Sequence, residues 1–270
     1  MPSAIKTHPS QTNQTECGWA GLKRELDAWR CANITARFWW RDDDLENPGP
    51  RLDRLLTMAS STPICLAIIP KSAATTLMAR LSSCRSVDVI QHGYEHRNHA
   101  AAESRKCELG DDRPPHEVLA DIVTGRNILS SLFGKKYFPV MAPPWNRISN
   151  HIGEQLQKIG FQAISGFGEQ PARSVPMINT HIDPVDWKGT RGFIGSNPAL
   201  RVTVQALRKC RLNAGLRQPI GLLTHHRILD EAGWQFIERF VKLINTHPGA
   251  NLVGIRDLIP PHSIEKNDRE

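Results

Sequence analysis

The chain has 270 residues, 34 Lys and Arg against 27 Asp and Glu, and a formal net charge of +7. Its 40% hydrophobic content supplies a sizeable core and excludes a disordered chain, while 19 Gly and 19 Pro without a repeat exclude collagenous and low-complexity classes. No apolar run approaches the roughly 18 residues of a bilayer span, and the positive charge is dispersed, so neither a membrane nor a nucleic acid is expected as partner.

From the N-terminus, residues 1–21 are polar and lack the apolar stretch of a secretory signal. Six scattered cysteines with no CxxC pair read as reduced thiols. Both features lead us to expect a cytoplasmic protein. A helix is expected over 21–30, so residues 1–30 read as a tail and helix, 31–262 as one catalytic domain, and 263–270 as a polar tail. Short apolar runs at 34–40, 63–70, 87–91, 137–143, 161–165, 178–182 and 219–225 read as buried strands. Between them, 52–60, 72–81, 116–133, 148–159 and 231–244 carry helical spacing. Trp234, Ile237, Val241 and Ile244 share one face of the last, and Ser149 or Asn150 is placed to cap the fourth. This alternation implies a mostly parallel sheet, open or closed as a barrel. Such sheets hold their chemistry in loops at the carboxyl ends of the strands.

The unusual residues fall there. The first strand ends Arg41-Asp42-Asp43-Asp44, three adjacent carboxylates that need a cation if semi-buried; an exposed acidic turn is the plain alternative. The third ends in a stretch holding His92, His96 and His99. Imidazoles four apart can face one point, and imidazole is the commonest neutral metal ligand. The last strand runs into His225 and His226, whose ordinary pKa suits proton transfer. Asp183 and Asp186 are carboxylates able to orient such a histidine. Pro143-Pro144-Trp145 is a stiff turn carrying an aromatic wall for a sugar-sized ligand, and Trp187 is a second. Residues 189–195 are glycine-rich without nucleotide-binding spacing, and no GxSxG is present.

Taken in order, the Asp-rich, His-x3-His, Pro-Pro-Trp, Asp-x2-Asp-Trp and Leu-x2-His motifs resemble those of the polysaccharide deacetylase family, the NodB-homology carbohydrate esterases. The resemblance covers about residues 36 to 227. It implies a distorted (β/α) barrel of about seven parallel strands and a metal-dependent hydrolase of acetamido groups acting on a small-molecule or oligosaccharide substrate. It further implies His92 and His96 as metal ligands, joined by Asp44 with Asp43 as base, or by Asp43 with Asp42 as base if the alignment shifts by one. His99 is the runner-up ligand, zinc the expected ion, and His225 the acid, with His226 as fallback. Pro144, Trp145, Asp183, Asp186 and Trp187 fall in substrate-binding positions. Two departures stand out. The family's arginine falls on Ala142, leaving Arg41 or Arg147 to replace it, and the Ser/Thr of the second motif is Gly93. A non-catalytic sugar-binding protein and a metal-independent C–N hydrolase of the same fold are the alternatives.

Overall fold

The computed structural model describes residues 18–170, 173–213 and 218–259. Residues 1–17 of the tail and helix expected over 1–30, and the tail expected at 263–270, lie outside the described residues. Eight strands are present among them: β1 Ala36–Leu45, β2 Ile64–Ile68, β3 Val87–His92, β4 Tyr137–Ala142, β5 Ala163–Ile164, β6 Thr180–Ile182, β7 Ile220–Thr224 and β8 Ala250–Leu252. They form one sheet in the order β5-β4-β3-β2-β1-β7-β6, with β8 added beside β1, and every pairing is parallel. The sheet curls into the expected distorted barrel of about seven strands. β4, β3, β2, β1 and β7 are consecutive neighbours in it, so their carboxyl ends share one rim.

The pleat sorts β1 into two faces. Phe38 and Trp40 point outward into the larger core, beneath the helices. Trp39 points into the barrel with Cys65, Ile90, Val140 and Ala163. The layer outside is built by α1 Trp19–Cys31, α2 Pro50–Met58, α3 Thr75–Ser82, α4 Pro115–Phe133, α5 Asn150–Gln155, α6 Ser196–Leu212 and α7 Glu231–Thr246. Burying an apolar stripe of each helix against a sheet that is apolar on both faces drives this arrangement. Leu22, Leu26 and Trp29 of α1 enter the same core as Phe240 and Ile244 of α7. Ser149 caps α5 by accepting from the Ile152 N–H at 3.2 Å, as expected. In β4, residues 137–141 run opposite only 89–91 of β3. Pro139, which has no N–H to give a ladder, sits in that irregularity.

Two elements went unread. Helix α6 has 17 residues and buries Ala199, Leu200, Thr203, Val204 and Leu207, while β8 is a three-residue strand. No helix among the described residues is long and apolar enough to cross a membrane.

Candidate functional site

The end of β1 is where the chain does most to separate like charges. Arg41, Asp42 and Asp43 are 0%, 0% and 2% exposed, yet successive side chains of a strand leave on opposite faces. Asp42 points outward. It accepts from Thr224 Oγ1 at 2.6 Å and from the His226 N–H at 3.0 Å, and its other oxygen pairs with His226 Nδ1. Asp42 raises the His226 pKa against the opposing pull of burial. Arg41 and Asp43 point inward as an ion pair, with Nη2 donating to Oδ2 at 2.9 Å and Nε lying 2.8 Å from Oδ1. The same guanidinium donates to the Ser165 carbonyl and hydroxyl, both at 2.6 Å, and to Asn146 Oδ1 at 2.7 Å. Arg41 is thus the cation beside Asp43, and residue 142 is an alanine. Arg147 instead donates to the Lys106 carbonyl.

Asp44 breaks the alternation. The β1–β2 register shifts after Asp42, and Asp44 takes a left-handed φ of 63°. Its Oδ1 lies 3.1 Å from His92 Nε2 and 3.3 Å from His96 Nε2. The ligand atoms of all three residues fall within 4.8 Å of one another. Burial opposes its ionisation, but the His92 hydrogen bond and the imidazoles of His92, His225 and His96 together hold Asp44 far below the ordinary carboxylate range. His92 Nδ1 lies 2.8 Å from the Ala142 carbonyl, which can only accept. The proton therefore sits on Nδ1 of the neutral ring, and the Nε2 lone pair faces a carboxylate oxygen. Two acceptors aimed at one point need a proton or a cation between them, and the donor set fits a divalent ion. Burial and the Asp43 charge push His92 in opposite directions, and the carboxylates prevail, raising it. His96 is lowered by burial and by His92. His99 turns away, with Nε2 3.6 Å from Glu95, and is not part of the cluster. Of the three adjacent carboxylates, Asp44 is the one that lies with the two imidazoles.

The cluster opens into a cavity of about 690 Å3 that Asp43, Asp44, His92, His96, Trp145 and His225 line together. Asp183, Asp186 and Trp187 also line it, whereas Pro144 is buried and is not part of its lining. The Trp145 ring meets His96 at a tilt, with ring centroids 4.5 Å apart, and Trp187 meets His225 edge-on at 4.7 Å. Neither expected carboxylate hydrogen-bonds His225, whose Nδ1 is buried without a partner. The reason is prior engagement. Asp183 accepts from the Val185 N–H at 3.0 Å and from Trp187 Nε1 at 2.6 Å. Asp186 accepts from Gly189 N and Thr190 N, closing the glycine-rich turn. Burial raises the Asp183 pKa. His226 is turned to Asp42 and away from this cavity.

Strain gathers here. Six non-glycine residues among those described have positive φ, and four of them, Asp44, His96, Trp145 and Asn146, line the cavity. Such conformations cost on the order of 1–3 kcal/mol each and persist where the surroundings over-determine them. Sequence reasoning missed Asn146, Ser165 and Glu108. The Glu108 carboxylate, 3% exposed, accepts from the Tyr94 and Glu95 N–H groups at 3.1 and 2.7 Å. It braces the histidine loop where Gly93 offers no hydroxyl.

No family model matches the chain, and no curated protein matches it. Solved structures do. A T48 deacetylase solved with substrate is 14% identical with a TM-score of 0.53, the match covering 84% of this chain and 92% of that one. A family 4 carbohydrate esterase from Streptomyces lividans, solved with acetate, is 13% identical with a TM-score of 0.50 over 82% and 91%. A family 4 pseudoenzyme from Bacillus anthracis is 12% identical with a TM-score of 0.54 over 84% and 66%. Active enzymes and a pseudoenzyme share the architecture, so activity has to be argued from the side chains. The chain has the fold of the polysaccharide deacetylases, the family 4 carbohydrate esterases.

Proposed function

We propose that the chain is a metal-dependent hydrolase that removes an acetyl or other acyl group from the nitrogen of a sugar or related amide. The observation that carries this reading is the convergence of Asp43, Asp44, His92, His96 and His225 in one cavity, from the ends of three strands. Asp44, His92 and His96 are the residues that would hold a divalent cation, and two imidazoles with one carboxylate suit zinc. When bound, such an ion acidifies water and polarises an acyl oxygen.

The remaining roles belong to the chain itself. Asp43 acts as the base, its carboxylate oriented by the two-point contact with Arg41. His225 delivers a proton to the departing nitrogen, which leaves poorly unless protonated. Its ring is held by the edge contact with Trp187 rather than by a carboxylate. Pro143 and Pro144 have no N–H, so the Trp145 N–H is the one peptide donor of residues 143–145 available to a developing oxyanion. Trp145 and Trp187 present ring faces to a sugar, with Asp183 and Asp186 as polar groups beside them.

The test is metal stoichiometry in wild type, His92→Ala and His96→Ala, alongside a hydrolysis screen over small N-acetylated compounds. One bound ion, lost in both variants together with amide hydrolysis, is expected. Wild-type protein that stays metal-free in zinc and hydrolyses amides unaffected by chelator would make it a metal-independent C–N hydrolase. Bound metal without any hydrolysis would make it a binding protein.

A further inference from the structure

Beside the catalytic cavity lies a second one of about 530 Å3. Trp145, Asn146, Arg147 and Phe167 line both, so the two share a wall. The annex brings together Arg105, Arg147 and Arg173, and no carboxylate lines it. Many other arginines of this chain find acids, as Arg54 does Glu231, Arg80 Asp53, Arg113 Asp121, Arg227 Glu46 and Arg256 Asp88, while Arg37 and Arg51 reach backbone carbonyls. None of the three annex arginines forms an ion pair among the described residues.

Arg105 is exposed, and neutral groups hold the other two. Arg147 Nη1 donates to the Lys106 carbonyl at 2.9 Å. Arg173 donates from Nη1 and Nη2 to the Ser149 and Ile148 carbonyls, both at 3.2 Å, while its buried Nε has no partner. Carbonyls fix the guanidinium planes but do not neutralise them. Three uncompensated charges around a half-enclosed space focus a positive potential there. Guanidinium N–H groups match the paired oxygens of phosphate and carboxylate.

We propose that this annex is an oxyanion subsite, so that the preferred substrate is an N-acyl compound carrying a phosphate or carboxylate group. The inference rests on the hydrolase reading above and narrows its substrate class. Anchoring a charged, non-reacting part of the molecule in the annex holds the scissile amide against the histidine and aspartate cluster, and such remote binding energy is available to the reacting centre.

The experiment compares kcat/KM of the metal-loaded full chain for N-acetylglucosamine, its 6-phosphate, and the carboxylate-bearing N-acetylmuramic acid. A preference of about ten-fold or more for one anionic compound is expected, the scale of a single charge-assisted contact. Arg105→Ala and Arg173→Gln should each reduce that preference several-fold, chiefly through KM, and added salt should weaken it in wild type. The phosphate and carboxylate arms distinguish the two oxyanions. Equal or better turnover of the neutral compound, with a ratio unmoved by both substitutions, overturns the proposal and leaves the hydrolase reading standing. Should none of the three be hydrolysed, calorimetric binding decides. Anion-selective binding lost in Arg105→Ala supports the subsite although hydrolysis has failed, and unselective binding overturns it.

Discussion

Gly93 leaves open the space that the Glu108 carboxylate fills. At a φ of 58°, a side chain at 93 would run into Glu108 Oε2 and come within 2.6 Å of Pro144 Cγ. The carboxylate and the missing side chain are thus alternative ways of bracing one loop. Gly93→Ser, which restores the residue type of the family motif, should destabilise the chain by about 1–3 kcal/mol through strain and crowding. Denaturant unfolding measures this. The penalty should shrink in a Glu108→Ala background, and a neutral Gly93→Ser would contradict the account.

Arg41 stands inside the barrel as the partner of Asp43. Arg41→Met removes the cation and strands a buried carboxylate, a change that costs roughly 3–5 kcal/mol. Arg41→Lys keeps the charge but not the fork that reaches Asp43, Ser165 and Asn146 at once, so it should retain more stability than Arg41→Met while losing turnover. Chemical denaturation and steady-state kinetics on both variants check the order.

His225 and His226 are neighbours with separate work, and the variants should separate them. His225→Ala should cut amide turnover while metal content stays unchanged. The loss should be smaller on an activated aryl ester, whose leaving group needs no proton. Equal losses on ester and amide would remove His225 from the acid role.

The Asp42–His226 pair predicts a pH dependence of stability. The Asp42 carboxylate lifts the His226 pKa in the folded chain, above the ordinary value of about 6.5. A raised folded pKa stabilises fully below the unfolded one and is lost as pH climbs through the folded one. The stability difference between wild type and His226→Asn should therefore be largest at mildly acid pH and shrink above neutrality. His96, His99 and His181, which are lowered, act in the opposite sense but are common to both proteins and cancel in that difference. Thermal melts across the range read it, and a gap that widened with pH would contradict it.

The strands and most helices were legible because buried parallel strands and amphipathic helices leave periodic traces. Helix α6 left one too, at Ala199, Leu200, Thr203, Val204 and Leu207, but exposed Val202 and Leu212 blur its face. The clustered Asp44, His92 and His96 were legible from motif spacing and strand ends. Asn146 and Ser165 were not, because they meet Arg41 across 105 and 124 residues, and nothing in local pattern encodes such a meeting. Glu108 likewise acts through a loop whose path only the folded backbone reveals.

Four consecutive residues of β1 each meet a different neighbour: Arg41 the far barrel wall, Asp42 the histidine outside, Asp43 the guanidinium inside, and Asp44 the imidazole pair. A slip of one position along β2 and β7 would hand every one of them the wrong neighbour, since alternate faces exchange. The Asp42 bonds to Thr224 and His226 tie β1 to β7 at a fixed height. They act as an index mark rather than a support, which makes an insertion or deletion anywhere in 36–44 far less tolerable than a substitution at most of those positions.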